Sequence, residues 1–108
     1  MNLNGLQTHP DLPTGKVVVS FNDGEPSYEI LADQAGDQIE FRPPVWQLEN
    51  VPLIYHGSLA WRSQQNRESI KKLRQQHSAP IFVDLNIRMP WFDPRWLDEL
   101  LADVRWLN

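Results

Sequence analysis

"PIFVDLNIR", residues 80–88, decides how this chain folds, because it passes from an apolar run into three polar residues spaced two apart. Successive side chains of a β-strand point to opposite faces, so Asp84, Asn86 and Arg88 share one face if the strand continues that far. An arginine at a strand end offers a planar fork suited to phosphate or carboxylate, and an asparagine offers both a donor and an acceptor. The stretch therefore predicts either a polar ligand site or an ion pair between Asp84 and Arg88.

Strand-like and helix-like segments alternate around this stretch. Residues 51–60 predict a strand closing on a glycine and a serine, residues 63–77 predict a helix, and residues 104–108 predict a last strand. Strand, helix, strand, helix, strand with short links is typical of an α/β fold with a parallel sheet and right-handed crossovers. We therefore expect residues 51–108 to form a partial Rossmann-like α/β core.

The second helix has the clearest start signal in the chain. Asp93 is suited to the N-cap, and Pro94 follows at the first helical position, where its missing N–H costs nothing. Four apolar residues then follow at helical spacing and predict one core-facing stripe: Leu97, Leu100, Leu101 and Val104. In the first helix, the basic run Lys71, Lys72 and Arg74 is expected on a solvated face.

Polar residues follow each strand of the predicted parallel sheet. The first strand ends at Gly57 and Ser58, the second runs into the polar residues of the opening stretch, and the third ends at Asn108. Ligands of open α/β sheets bind beyond the carboxyl ends of the strands, so these residues predict one site along a single edge. At Gly57 the missing side chain is expected to let a backbone or a ligand approach closely.

Residues 1–50 predict a lead-in, an antiparallel hairpin and a connector. Asp23 and Gly24 form a two-residue turn signal between β-prone runs, with strands at about 16–21 and 26–31. The register that follows pairs Val17 with Ile30 and Val19 with Tyr28, and it gathers the apolar side chains on one face. An isolated hairpin is marginal in water, so that face is expected to cover its own domain, a partner subunit or a ligand.

Composition excludes several classes of protein. The formal net charge of -4 argues against a nucleic-acid surface, and the absence of cysteine excludes a disulfide framework. No apolar run approaches the length that spans a membrane, and the first ten residues do not resemble a signal peptide. We therefore expect a cytoplasmic protein with no nucleic-acid or membrane partner.

Other candidate residues favour structural interpretations. A hydrolase built on His56 and Ser58 is disfavoured, because the sequence holds no G-x-S-x-G elbow around this serine. Asp37 and Glu40 have no second group at catalytic spacing and are expected at the surface. The tryptophans Trp91, Trp96 and Trp106 are expected to pack in the core rather than to stack on sugars.

Four stretches together resemble the PfkB-type, ribokinase-like carbohydrate kinases, most nearly the fructokinase-like branch. They occur in the family's order: "LPTGKVVVSFNDGEPSYEI", "LIYHGSLAWR", "IFVDLNIRMPWF" and "LLADVRWLN". The most specific pieces are the Asp-x-Asn-x-Arg-x-Pro-Trp run at 84–91 and the Thr-Gly-x-Val lead at 14–17. The resemblance extends from about Leu12 to Asn108.

The resemblance implies a kinase that transfers the γ-phosphoryl group of ATP, with Mg²⁺, to a sugar hydroxyl. Arg88 would lie by the sugar and the transferred phosphate, and Asn108 would open an Asn-x-x-Glu motif near the magnesium and phosphates, with Asp84 close by. The hairpin would be a lid over the sugar and a homodimer contact, which makes Tyr28 a candidate for sugar contact or packing. Glu29 lies where kinases of acidic sugars tend to carry a basic residue, which favours a neutral sugar such as fructose.

Departures from the family pattern are equally informative. The glycine-rich sugar-binding segment and the Gly-Ala-Gly-Asp segment with the catalytic base are not found in these 108 residues. The expectation is an internal fragment, inactive alone, whose base lies C-terminal of Asn108. The alternative is a non-enzymatic dimerisation or ligand-sensing α/β module.

Overall fold

The computed structural model describes residues 3–42, 51–87 and 92–108, and within them the fold is mixed α/β. It contains a two-stranded antiparallel sheet and a three-stranded parallel sheet, as the alternation of segments predicted. Arg88, Trp91 and Trp46 lie outside the described residues.

The hairpin consists of β1 (Val17–Asn22) and β2 (Glu25–Ile30), each within one residue of the predicted strand. Its predicted register is confirmed, since Val17 pairs with Ile30 and Val19 with Tyr28. The turn residues Asp23 and Gly24 have φ angles of 51° and 81°. Two consecutive positive φ angles give a turn whose twist matches that of the strands, which is why this pair fixes the register.

Three strands and two helices form the second part of the chain. The strands are β3 (Ile54–Gly57), β4 (Ile81–Asp84) and β5 (Val104–Leu107), and they are parallel in the order β3, β4, β5. The helices are α1 (Gln64–Gln76), between β3 and β4, and α2 (Leu97–Leu100), between β4 and β5. Two short 3₁₀ turns precede them, at Leu59–Arg62 and Pro94–Trp96.

One face of the parallel sheet packs against both helices. Its buried strand residues share a cluster with Ile70 of α1 and Leu100 of α2, and the fully buried Trp61 closes one side. The strand residues of that cluster are Ile54, Ile81 and Val83. Burial of this apolar surface, at roughly 25 cal/mol per Å² removed from water, is the main contribution to the stability of the core.

The second helix is much shorter than its apolar stripe predicted. The Asp93 carboxylate caps the 3₁₀ turn that leads into this helix, accepting from the Arg95 N–H at 2.9 Å, and the regular helix covers only Leu97–Leu100. Val104 lies in β5, where it pairs with Ile81. Pairing with the sheet therefore overrides helical periodicity at the last position, although the stripe still faces the core.

A buried polar seam joins the connector after the hairpin to α1. The amide of Asn66, which is fully buried, donates to the Gly36 carbonyl at 2.7 Å and accepts from the Ile39 N–H at 2.8 Å. The Ser69 hydroxyl donates to the Ile39 carbonyl at 2.7 Å. These bonds explain why α1 carries few apolar anchors, because the face that carries Asn66 and Ser69 is buried through hydrogen bonds to the connector and not through apolar contacts.

The expectation that Asp37 lies at the surface is wrong. Its carboxylate accepts two hydrogen bonds of 2.6 Å from Arg62, and the two side chains are 10% and 9% exposed. The same guanidinium donates to the Leu31 carbonyl at 2.7 Å, at the end of the hairpin. Glu40 is exposed, as expected.

Candidate functional site

The carboxyl ends of the three parallel strands bring a small polar cluster together. The Asp84 carboxylate, at the end of β4, accepts from the Tyr55 hydroxyl at 3.2 Å and from the Asn108 amide at 3.3 Å. Backbone bonds hold the cluster in place, because the Leu85 N–H donates to the Asn108 carbonyl at 2.8 Å and the Asn108 N–H donates to the Val83 carbonyl at 3.0 Å. The side chains of three neighbouring strands thus meet at one edge of the sheet.

Residues just beyond β3 complete this edge. The Ser58 N–H donates to the Asp84 carbonyl at 3.0 Å, and the buried Ser58 hydroxyl accepts from the Asn86 N–H at 2.9 Å. The segment after Asp84 is therefore hydrogen-bonded to Ser58, which directly precedes the 3₁₀ turn after β3. Asn86 is held two residues beyond the end of β4, and its side chain is exposed.

Gly57 lies beside Asp84, as the parallel register requires. A Cβ built on it would meet the Asp84 carbonyl oxygen at 3.8 Å, which is an ordinary van der Waals separation. The expectation that a backbone approaches too closely for a side chain is therefore wrong. Close approach of a ligand at Gly57 stays a prediction.

The edge carries both donors and acceptors in an exposed setting. The hydrogen bond to Asp84 raises the pKa of the Tyr55 hydroxyl above its ordinary value, and the charge of Asp84 acts in the same direction. The phenol therefore stays protonated and keeps donating to the carboxylate at neutral pH. Together Tyr55, Asp84 and Asn108 present a hydroxyl, a carboxylate and an amide, which are groups that hydrogen-bond to the hydroxyls of a polar ligand.

The predicted site residues are only partly brought together. Asp84, Gly57 and Asn108 meet at the carboxyl edge, and Asn86 follows directly on the same loop. Tyr28 lies on the other sheet, in the hairpin, and is 69% exposed. The predicted roles of Arg88, and its pairing with Asp84, fall outside the described residues.

Tyr55 is the member of this cluster that reasoning from sequence missed. The tyrosine is out of phase with buried Ile54 on β3, so alternation alone places it on the opposite face of the sheet. Its contact with Asp84 depends on the register of β3 against β4. That register comes from tertiary packing and has no local signal in the sequence.

A second polar cluster surrounds His56, on the helix-covered face of the sheet. Arg74 donates a 2.8 Å hydrogen bond to His56 Nε2, and the imidazole stacks on the indole of Trp61. Because a guanidinium only donates, Nε2 must accept, which places the proton on Nδ1, 3.2 Å from the Gly57 carbonyl. Arg74 is thus turned into the fold, which corrects the expected solvated face.

His56 and Ser58 do not form a nucleophile and base pair. Both ring nitrogens of His56 are engaged by Arg74 and Gly57, and the Ser58 hydroxyl accepts from Asn86. Burial lowers the pKa of His56 below 6.5, and the nearby Arg74 charge lowers it further. The histidine is therefore a neutral structural residue.

The described residues of the carboxyl edge do not form a complete metal site. Within the described residues no group of three or more histidine, cysteine, aspartate or glutamate side chains is arranged to hold a metal ion. Mg²⁺ commonly keeps several waters and binds one or two protein carboxylates together with substrate phosphates. Asp84 and Asn108 supply one carboxylate and one amide, and both carboxylate oxygens already accept hydrogen bonds, from Tyr55 and Asn108.

No protein-family model matches this chain, and no curated protein sequence matches it either. Across the parts of the chain that the structure describes, no helix has the length and apolar character needed to cross a membrane.

Proposed function

We propose that this chain is a segment of an ATP-dependent carbohydrate kinase of the ribokinase-like type, which phosphorylates a hydroxyl of a neutral sugar such as fructose. The proposal includes cytoplasmic location and places the catalytic base and the nucleotide pocket outside these 108 residues. On this proposal the isolated chain binds its ligands incompletely and does not catalyse.

The observation that carries the proposal is the contact of Asp84, at the carboxyl end of β4, with Asn108 just beyond β5 and with the Tyr55 hydroxyl of β3. In open α/β sheets this edge is where polar ligands bind. The motif run at 84–91 begins at this edge. A lid above the edge would be supplied by the hairpin, where Tyr28 offers an exposed phenol.

Each residue has a role that its chemistry supports. Asn86 and Gly57 flank the sugar, the first as a donor and acceptor and the second by leaving room for a ring. Arg88 would hold the transferred phosphate through its fork of N–H groups. Asp84 and Asn108 would face the Mg²⁺ and phosphates, where the metal neutralises the charge that builds up during transfer.

The direct test is coupled ADP release by the product of the whole open reading frame that encodes this chain, against a panel of neutral and acidic sugars. We expect turnover with a neutral sugar and none with the isolated 108-residue chain. Absence of ADP release with every sugar would refute the kinase function.

Two substitutions test the assigned roles in that assay. Arg88→Ala is expected to lower kcat by at least about 100-fold, because it removes charge stabilisation from the transferred group. Arg42→Ala is the matched control, since Arg42 forms an exposed ion pair with Glu40 away from this edge. Equal turnover in both variants would remove Arg88 from the mechanism.

The second candidate is a non-enzymatic α/β module for dimerisation or ligand sensing. The exposed apolar face of the hairpin favours it, because Val17, Phe21 and Tyr28 are 54%, 71% and 69% exposed. The coding sequence beyond Asn108 separates the two functions. An in-frame Gly-Ala-Gly-Asp segment favours the kinase, and a stop codon favours the module.

A further inference from the structure

Ser58 directly follows β3 and extends its pairing with β4 by one step. Its side chain is buried, since the residue is only 1% exposed. The Ser58 N–H donates to the Asp84 carbonyl at 3.0 Å, which repeats at the end of the strand the bond that Ile54 makes to the Pro80 carbonyl at its start. The parallel pairing therefore continues beyond Gly57 and places Leu85 opposite Ser58.

The backbone carbonyl of Ser58 leaves this ladder. In a parallel pair the residue after the partner, here Asn86, would donate its N–H to that carbonyl. The carbonyl turns instead into the 3₁₀ turn at Leu59–Arg62, where the Trp61 N–H donates to it at 3.0 Å. The Ser58 hydroxyl takes the place of the carbonyl and accepts from the Asn86 N–H at 2.9 Å.

The position of Ser58 in the chain favours a different use of its hydroxyl. A serine in front of a helical turn commonly caps it, by accepting from an N–H two or three residues further on. Ser63 does so at the start of α1, where its hydroxyl accepts from the Asn66 N–H. Ser58 precedes a 3₁₀ turn, yet its side chain makes no capping hydrogen bond. Its hydroxyl is used for a residue 28 positions later, in the segment that carries the candidate site.

The bond from Ser58 matters for Asn86 because this residue lies past the regular strand. Asn86 is two residues beyond the end of β4, and its side chain is exposed. Leu85, the residue before it, donates its N–H to the Asn108 carbonyl at 2.8 Å. The Ser58 hydroxyl extends this backbone attachment by one residue, to Asn86 itself.

We propose that Ser58 is a positioning residue for sugar binding, whose hydroxyl fixes the backbone at Asn86 and so directs the Asn86 side chain toward the sugar. The inference rests on the proposed kinase function and deepens it by adding a buried residue that acts through Asn86. A misplacement of about 1 Å in a substrate-positioning group can cost about 100-fold in rate, so a single hydrogen bond of this kind has a measurable effect.

Steady-state kinetics of the product of the whole open reading frame test the role of Ser58. In Ser58→Ala we expect the KM for the sugar to rise at least about tenfold and the KM for ATP to stay within about twofold, because the proposed nucleotide pocket lies elsewhere. Ser69→Ala is the matched control. Ser69 is also a buried serine, at 5% exposure, and its hydroxyl donates to the Ile39 carbonyl away from this edge, so both KM values should stay unchanged.

Ser58→Cys separates the hydrogen bond from the packing of the side chain. A thiol nearly keeps the volume of the hydroxyl but is a weak acceptor. We therefore expect a sugar KM between those of the unsubstituted protein and Ser58→Ala. A side chain that only fills space predicts that cysteine behaves like serine. This variant leaves no cavity, so it tests the inference even if Ser58→Ala folds poorly.

Hydrogen exchange at the Asn86 N–H reports the same attachment without catalysis. We expect exchange to be at least about tenfold faster in Ser58→Ala than in the unsubstituted protein, intermediate in Ser58→Cys and unchanged in Ser69→Ala, because the loss of this bond opens the segment locally. Site-resolved mass spectrometry of the same protein measures these rates.

Three outcomes in an active protein would overturn this inference and leave the kinase function standing. They are unchanged exchange at Asn86 in both Ser58 variants, faster exchange with an unchanged sugar KM, and an equal rise in the KM values for sugar and ATP. If the unsubstituted protein releases no ADP with any sugar, the proposed function fails and this inference fails with it.

Discussion

At the scale of single residues, Asp37 and Arg62 form the most consequential pair of charges in the described structure. Burial by itself would raise the pKa of Asp37, but hydrogen bonds from Arg62 and the Gln34 N–H, together with the Arg62 charge, hold it below its ordinary value. The pair fastens the connector to the 3₁₀ turn before α1. Loss of one partner would leave the other charged and buried.

We predict that Asp37→Asn lowers the free energy of unfolding by about 3 kcal/mol, because removing one member of a buried ion pair leaves an uncompensated charge. Urea unfolding followed by circular dichroism measures the change. Glu40→Gln is the matched control, since Glu40 forms an exposed pair with Arg42 and should cost less than about 1 kcal/mol. Equal effects from the two substitutions would contradict the buried role of Asp37.

His56 predicts a pH dependence of stability in a window set by its lowered pKa. The unfolded chain binds a proton near pH 6.5, whereas burial and then the Arg74 charge keep folded His56 neutral to lower pH. Stability should therefore be full above about pH 7 and should fall as the pH drops below 6.5 toward the folded pKa. Other charged groups near Arg74 are Glu99 and Asp103.

Urea midpoints between pH 7.5 and pH 5 measure this dependence. His56→Gln should flatten most of the slope, because glutamine can still accept from Arg74 and does not titrate. A slope unchanged in His56→Gln would assign the dependence to another group. Asp37 contributes in a separate window, since stability that depends on its lowered pKa is lost only as the pH falls below about 4.

At the scale of elements, the hairpin and the first helix differ in how strongly their own sequences specify them. The Asp23 and Gly24 turn determines the register of β1 and β2 locally, so every predicted strand pair is observed. The first helix begins as predicted, with the Ser63 hydroxyl accepting from the Asn66 N–H at 3.1 Å. Its packing is different, because Asn66 and Ser69 bind the backbone of a segment about 30 residues earlier.

Asn66→Ala should therefore destabilise the fold by about 2 to 3 kcal/mol, since it leaves the Ile39 N–H and the Gly36 carbonyl without their partner. Differential scanning calorimetry would detect it as a drop in Tm of several degrees. Gln64→Ala, two residues earlier on the exposed side of the helix, serves as the control and should change Tm little. A neutral Asn66→Ala would show that water replaces both lost hydrogen bonds.

At the scale of the whole molecule, the chain is extended for its size. Its radius of gyration is 15.5 Å, whereas a compact domain of 108 residues has about 13 Å. The largest principal extent is 52 Å. The hairpin and the parallel sheet are separate sheets, and apolar side chains of both are exposed, among them Trp106, which was expected to pack in the core.

Much of the fold could be read from local patterns, but the candidate site could be read only in part. Asp84, Gly57 and Asn108 were placed at one edge because parallel strands end together there. Tyr55 was missed because its partner depends on the register between strands. The length of the second helix was overestimated, because the helical periodicity that includes Val104 could not reveal that this residue pairs with Ile81 in the sheet.

The amino-acid sequence by itself determined the elements whose causes are local: the hairpin turn, the N-cap at Asp93, and the alternation that leads to a parallel sheet. Only the tertiary structure decided the buried pair of Asp37 and Arg62, the neutral state of His56 and the exposure of Trp106. The physical reason is that burial and register arise from contacts between residues far apart in the chain. The sequence around a charged or aromatic residue is the same whether long-range contacts bury its side chain or leave it exposed.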